Sequence, residues 1–194
     1  RKHGIKNTPY GSRHDWDESQ LLTHYLIEPG QPKMCLGAGT PQATNSTLRL
    51  WGYPSGLLNK HSQAQQDAIH DAKIKKEKAY VKTEEFLKKN KTSADPYTAI
   101  YSTNNAMTIG VIQAIQELNL KIPEDISVVS FGELDTQEII IPKITCIKQD
   151  IHSIAIKTRE DLIQLAEGNP EETVHNSILP GILQVGRSVR NLNW

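Results

Sequence analysis

Residues Tyr97–Phe131, "YTAIYSTNNAMTIGVIQAIQELNLKIPEDISVVSF", carry the pattern that decides the fold. "YTAIYST" and "ISVVSF" read as short buried strands, apolar along their length rather than alternating with charged residues. Between them Met107, Val111, Ile112, Ile115 and Leu118 recur at helical spacing and predict a helix over Asn105–Leu118, followed by the loop "LKIPED". Strand, helix and strand in this order, with continuously apolar strands, predict a parallel, doubly wound α/β sheet covered on both faces. Such sheets bind ligands beyond the carboxyl ends of their strands. Ser102–Asn105 and Gly132–Asp135 are therefore the candidate rims of one cleft.

The rhythm continues outward. "KITCIKQ" predicts another strand and His152–Ala166 a helix, with Ile151, Ile154, Ala155, Leu162 and Leu165 inward and Gly168 as its stop. "NSILPGILQVG" supplies a final extended segment. Upstream, "DESQLLTHYLIE" (17–28) puts Leu21, Leu22, Tyr25 and Leu26 on one helical face, with Asp17 as N-cap and Pro29-Gly30 as terminator. "KMCLGAG" follows as a short strand, and "NSTLRLWGYPSGLLNK" as a partly helical stretch strained by Gly52 and Pro54. Residues 72–91 predict a lysine-rich helix whose apolar contacts are Tyr80, Val81, Phe86 and Leu87. Its eight lysines raise the question of nucleic acid, but interleaved acids favour a solvated face.

The chain has 194 residues, 37% hydrophobic, enough for one domain or two small lobes. Twenty-two basic residues balance twenty-two acidic ones, so no global field draws it to nucleic acid or membrane. No apolar run approaches a membrane span, and no secretory segment opens the chain. The missing initiator Met leads us to expect a processed, truncated or partial piece of something longer. Cys35 and Cys146 lie far apart in apolar stretches, as buried thiols of a reducing cytoplasm would, and the sequons at Asn45 and Asn90 are idle without a secretory route.

Catalytic signatures are sparse. The sequence holds no G-x-x-x-x-G-K-[ST], no G-x-S-x-G and no H-E-x-x-H, and its seven histidines show no metal-ligand spacing. "GAGT" (37–40) follows a strand but lacks the third glycine of a dinucleotide loop. His61 and His70 stand in polar surroundings. Glu133 and Asp135 are open to three readings: turn residues, ligand contacts, or an acid/base pair without an identifiable nucleophile.

The run Tyr97–Asp150, with "NNAMTIG", "LKIPEDISVVSF" and "PKITCIKQD" in order, resembles the effector-binding core of the LacI/GalR (lactose-repressor-like) transcription regulators. "LLTHYLIEPG", "TLRLWGYPSGL" and "LIQLAEGNPEE…ILPGILQVGRSVR" extend the likeness over about Trp16–Arg190. The resemblance implies a periplasmic-binding-protein-like fold: two Rossmann-like lobes joined by three crossover strands. Residues 33–145 with 179–190 would form the C-terminal lobe, and 1–32 with 146–178 the remnant of an incomplete N-terminal lobe. It further implies a cytoplasmic, non-enzymatic homodimer sensing a sugar or related metabolite. Operator DNA would be bound by a helix-turn-helix domain absent from this chain. No cofactor, metal or catalytic residue is implied.

The same resemblance points to effector-binding residues. Arg49 stands where the family has an arginine for hydroxyls or a carboxylate, a use that suits its planar fork. Asn104 matches the family's effector-binding asparagine, and Asn105 replaces an aspartate; either one can instead cap the following helix. Gly132 occupies the place of the sugar-reading aspartate, with Glu133 one residue further out, and Gln149 matches a polar position at the pocket edge. No stacking ring is evident around Ala72. The incomplete set leads us to expect a weak or altered effector rather than an ordinary monosaccharide. A solute-binding protein of a transporter is the alternative, and a small enzyme using Glu133 or Asp135 the third.

Overall fold

Parallel strands buried on both faces must send alternate side chains into two different cores, and the two central strands do so. Ala99 and Tyr101, with Val129 and Phe131, point to one face; Ile100 and Val128 point to the other. The computed structural model describes residues 14–31, 33–37, 44–58, 75–135, 139–167 and 179–193. In chain order these form α1 (His14–Ile27), β1 (Met34–Gly37), α2 (Thr44–Leu58), α3 (Lys76–Asn90), β2 (Ala99–Ser102), α4 (Asn105–Glu117), β3 (Ser127–Phe131), β4 (Thr145–Lys148), α5 (Ile151–Ala166) and β5 (Ile182–Gln184). The sheet order is β1-β2-β3-β4-β5; β1 to β4 run parallel and β5 closes the edge antiparallel to β4.

α1 and α2 cover one face through Leu22, Leu26, Tyr53 and Leu57, and α3 and α4 cover the other through Leu87, Val111 and Ile115. Leu22 and Leu26 are fully buried, and each stabilises the fold by about 1.5–3 kcal/mol at the usual transfer scale. α1 thus shares the core of the five-stranded sheet, although the family mapping assigned residues before Lys33 to the other lobe.

Several local expectations change. α1 already includes Asp15, so Asp17 is an exposed first-turn residue and not the N-cap, and Leu21 faces solvent. α2 runs through Gly52 and Pro54 without a break. Its glycines are the packing surface: a Cβ at Gly52 would meet Ser19 Cβ at 2.6 Å, and one at Gly56 would meet Thr23 Cβ at 2.9 Å. On α3 the inward stripe is Ala79, Thr83 and Leu87, one every four residues, and Val81 is exposed. Small residues are selected there because Gly110 of α4 sits directly against the Lys76 carbonyl. The lysine face is solvated, with Lys82–Glu85 and Lys88–Glu84 pairs at 3.1 and 2.7 Å.

α5 departs most from expectation. Ile151 and Leu162, predicted inward, are 74% and 54% exposed; Ile154 and Ala155 are exposed as well. Its stripe is amphipathic, but none of its residues joins the described cores of the sheet. The side chain of Leu165, together with Gly168, His61, His70, Ala72, most of "GAGT" and the Asn45 side chain, lies outside the described residues. Cys35 and Cys146 are buried and form no disulfide.

Candidate functional site

The close α1–α2 contact brings Asp15, at the start of α1, against Arg49 of α2. Arg49 Nε donates to Asp15 Oδ1 at 3.0 Å, and Nη2 lies 3.0 Å from the same oxygen. Nη1 donates to the Thr103 carbonyl at 2.9 Å, just past the end of β2. The guanidinium carbon sits 3.8 Å from the centroid of the Phe131 ring, the last residue of β3. Fork, carboxylate and ring hold each other in one orientation; the cation–π contact alone is worth about 0.5–2 kcal/mol. Both partners are sheltered, with 14% of the arginine and 4% of the aspartate side chain exposed. Burial raises the Asp15 pKa, and Arg49 opposes that rise without cancelling it.

Around this pair the backbone is also fixed. Ser19 Oγ donates to the Arg49 carbonyl at 2.7 Å and shares a 2.9 Å hydrogen bond with the Tyr101 hydroxyl. Burial drives the Tyr101 pKa upward, so the phenol stays neutral. One turn beyond Asp15, buried Glu18 accepts the Gly181 N–H with one oxygen, while the other has no hydrogen-bond partner among the described residues.

Asn104 caps α4: its extended backbone lets Oδ1 accept the Met107 N–H at 2.9 Å. Asn105 is the first helical residue, exposed, and among the described residues its Oδ1 meets only the adjacent Ala106 N–H. The cap is therefore Asn104 alone. Gly132 has φ +106, a conformation L residues rarely adopt, and a Cβ there would lie 3.7 Å from both Asn105 N and Asn105 Cβ. Conformation, not crowding, accounts for glycine at this tip.

That turn sends Glu133 away from the arginine. Its carboxylate pairs with Lys148 at 2.8 Å. The Gln184 amide, oriented to satisfy both neighbours, donates to Glu133 at 3.1 Å and accepts from Lys143 at 3.0 Å. The bond from Glu133 in turn raises the Lys148 pKa. These residues line a groove of about 810 Å³ together with Arg187, and Arg49 and Asn104 are not part of it. Gln149 follows β4, half-buried, its carbonyl accepting the Ile151 N–H at 3.0 Å. Asp135 is exposed.

Arg49, Asn104, Asn105 and Gly132 are thus gathered at the carboxyl ends of β2 and β3, while Glu133 belongs to the β4–β5 edge. Asp15, Phe131 and Glu18 were not singled out from the sequence. The one available signal was two acids a turn apart, at 15 and 18, on the helix preceding β1. Among the described residues no three His, Cys, Asp or Glu converge as a metal site, and no helix is long and apolar enough to cross a membrane.

Known proteins share this fold. The probable HTH-type transcriptional repressor ExuR of Bacillus subtilis is 26% identical over 92% of this chain and 52% of its own length. The crystal structure of the lac repressor dimer bound to operator and the anti-inducer ONPF superposes with a TM-score of 0.78 at 26% identity, covering 92% of this chain and 59% of that one. A LacI family transcriptional regulator from Enterococcus faecium, solved with bound ribose, has the same fold, with a TM-score of 0.86 at 23% identity over 99% of this chain and 69% of that one. The chain spans about half the length of the curated relatives it matches. Residues 23–189 match the family described as periplasmic binding protein-like domain, and the chain belongs to that family, in the LacI/GalR group of effector-binding cores.

Proposed function

We propose that this chain is the effector-binding and dimerisation core of a DNA-binding transcription regulator, sensing a sugar or related small metabolite in a cleft between two lobes. The observation that carries this reading is Arg49. It is a sheltered guanidinium held between Asp15 and Phe131 at the carboxyl ends of parallel strands, with two of its five N–H groups lacking a described partner. A pre-oriented planar donor recognises paired hydroxyls or a carboxylate at little entropic cost. Asn104 uses its Oδ1 as a helix cap, and its amide N–H groups have no hydrogen-bond acceptor among the described residues.

Regulation then follows from population shift: the effector must prefer one lobe setting, since equal affinity for both shifts nothing. Operator DNA is contacted by a helix-turn-helix domain elsewhere in a longer polypeptide, in the cytoplasm. The homodimer is supported by the lac repressor relative solved as a dimer, and Ile139 and Ile141, 79% and 89% exposed, offer apolar surface for it. A non-enzymatic role fits Glu133, whose carboxylate is engaged by Lys148 and Gln184. The repressor relatives favour a regulator over a transporter's solute-binding protein.

Calorimetry of the full-length protein against neutral sugars, sugar acids and sugar phosphates tests the reading, with operator binding followed by fluorescence anisotropy. One class is expected to bind and to change operator affinity, with binding weakened in Arg49→Lys. A protein that binds no operator under any condition sinks the regulator. Tight binding of an unmodified hexose sinks the altered sugar site.

A further inference from the structure

We infer that Glu18 is a latch: its carboxylate clasps the segment Leu179–Gly181 onto α1 and so sets where the chain re-enters the sheet beside the Arg49 cluster. The contact is closely built. Glu18 is 5% exposed, and one of its oxygens accepts the Gly181 N–H. Gly181 has no room for a side chain, because a Cβ would meet Ile147 Cγ2 at 2.6 Å and Glu18 Oε1 at 3.0 Å. The second carboxylate oxygen is buried without a hydrogen-bond partner among the described residues. A buried, half-satisfied carboxylate costs stability, and such a group in a native fold calls for an explanation. Glutamine in its place would accept the same N–H and carry no charge.

The surroundings show what the latch holds. The chain leaves the sheet after Lys148, forms α5 with its apolar residues largely exposed, and returns at Ile182. β5 is an edge strand of three residues. Among the described residues, Glu18 fastens the start of the return at Gly181, the β4–β5 ladder follows it, and Gly186, Arg187 and Ser188 are bonded further on to Thr145, Lys143 and Val128.

The charged groups around Glu18 fix the sign of its pH response. Burial raises its pKa above the ordinary 4.5, and Asp15 on the same helix face adds to the rise. The Gly181 N–H, His14 and Arg49 oppose it more weakly. A carboxyl with a raised pKa in the clasped state favours clasping most below its ordinary value. It loses that advantage as pH rises through the displaced one. The latch loosens on ionisation, and its strength is linked to whatever changes the charge balance of the Asp15–Arg49 pair.

Hydrogen exchange of the full-length protein, with rates corrected for intrinsic pH dependence, tests this independently of any effector. In the wild type, protection of peptides covering residues 179–184 is expected to fall from acid to neutral pH, while peptides from β2 and β3 keep theirs. In Glu18→Gln the protection is expected to persist and lose its pH dependence. In Glu18→Ala the segment should exchange about 10-fold faster at every pH, as for a local opening released from one contact. Unchanged protection in Glu18→Ala, or a wild-type pH profile in Glu18→Gln, overturns the latch. Should the alanine variant not fold, the glutamine profile alone decides.

Discussion

Replacing Arg49 by alanine tests the centre of the site. The substitution strips Asp15, 4% exposed, of its bonded cation, and removes both the donor to the Thr103 carbonyl and the ring contact with Phe131. Removing one partner of a buried ion pair costs about 3–5 kcal/mol, chiefly because the other charge is left unmet. Losses at Thr103 and Phe131 overlap with that figure, so we expect about 4 kcal/mol with a floor near 3. Urea unfolding at neutral pH measures it. In the Arg49→Ala background, Asp15→Asn should recover part of the loss, since the unmet charge is gone. The pH dependence follows from the same charge. Asp15, already raised by burial, loses the opposing arginine and rises further. Its protonation then relieves the strain, so the deficit narrows as pH falls through the acid range. A deficit below about 1 kcal/mol, typical of exposed pairs, with no coupling between the two positions, would falsify the view that this arginine is held rigid in a sheltered pair.

Three further perturbations separate sequence rules from packing. Gly52→Ala ought to stabilise an isolated helix by about 1 kcal/mol. Here its Cβ meets Ser19 and the Trp16 carbonyl at 2.6 Å, and overpacking should instead destabilise by about 1–3 kcal/mol in urea unfolding; a gain would mean that α1 and α2 can separate freely. Gly132→Ala meets only ordinary contact with Asn105 at 3.7 Å but has the wrong backbone, and is expected to cost about 1–3 kcal/mol by the same assay; no cost would mean that the turn relaxes. Glu133→Gln should leave the urea midpoint unchanged, while the Lys148 amine returns to the ordinary lysine range in an NMR titration; an unaltered Lys148 titration rules the pair out in solution.

The legible part of this molecule was the part whose sequence period matches its environment. β2, α4 and β3 are buried on every side the pattern predicted, so Met107, Val111 and Ile115 land in core positions. α5 shows the same period, yet an apolar stripe announces only that a helix needs a partner, not that one is present. Arg49 was singled out through family likeness, but its partners were not. Asp15 lies 34 positions from Arg49 and Thr103 lies 54, and no local rule links such separations. The role of Gly52 was misread for a related reason, and Gly56 acts in the same way. Helix propensity counts glycine as a defect, whereas here the missing Cβ atoms let α2 approach α1 closely enough to form the ion pair.

Glu133 cannot stand in for a carboxylate at Gly132, and the reason is geometric. Successive residues leaving a strand point to opposite sides, and the φ of +106 at Gly132 delivers Glu133 to Lys148 and Gln184 rather than toward Asn105. A carboxylate at this tip must come from residue 132 itself. The φ of +106 strains any side chain, but aspartate is among the non-glycine residues that tolerate positive φ best, and its Cβ would lie in ordinary contact with Asn105 at 3.7 Å. If the proposed cleft is correct, Gly132→Asp gives an effector hydroxyl the acceptor that the wild type lacks. A regained hydrogen bond to a charged group contributes about 1.5–3 kcal/mol, or roughly 10- to 150-fold in affinity. The gain should appear for neutral monosaccharides in calorimetry of the full-length variant. Equal affinity of wild type and Gly132→Asp for every neutral sugar tried would place the effector away from the β3 tip, whatever Arg49 binds.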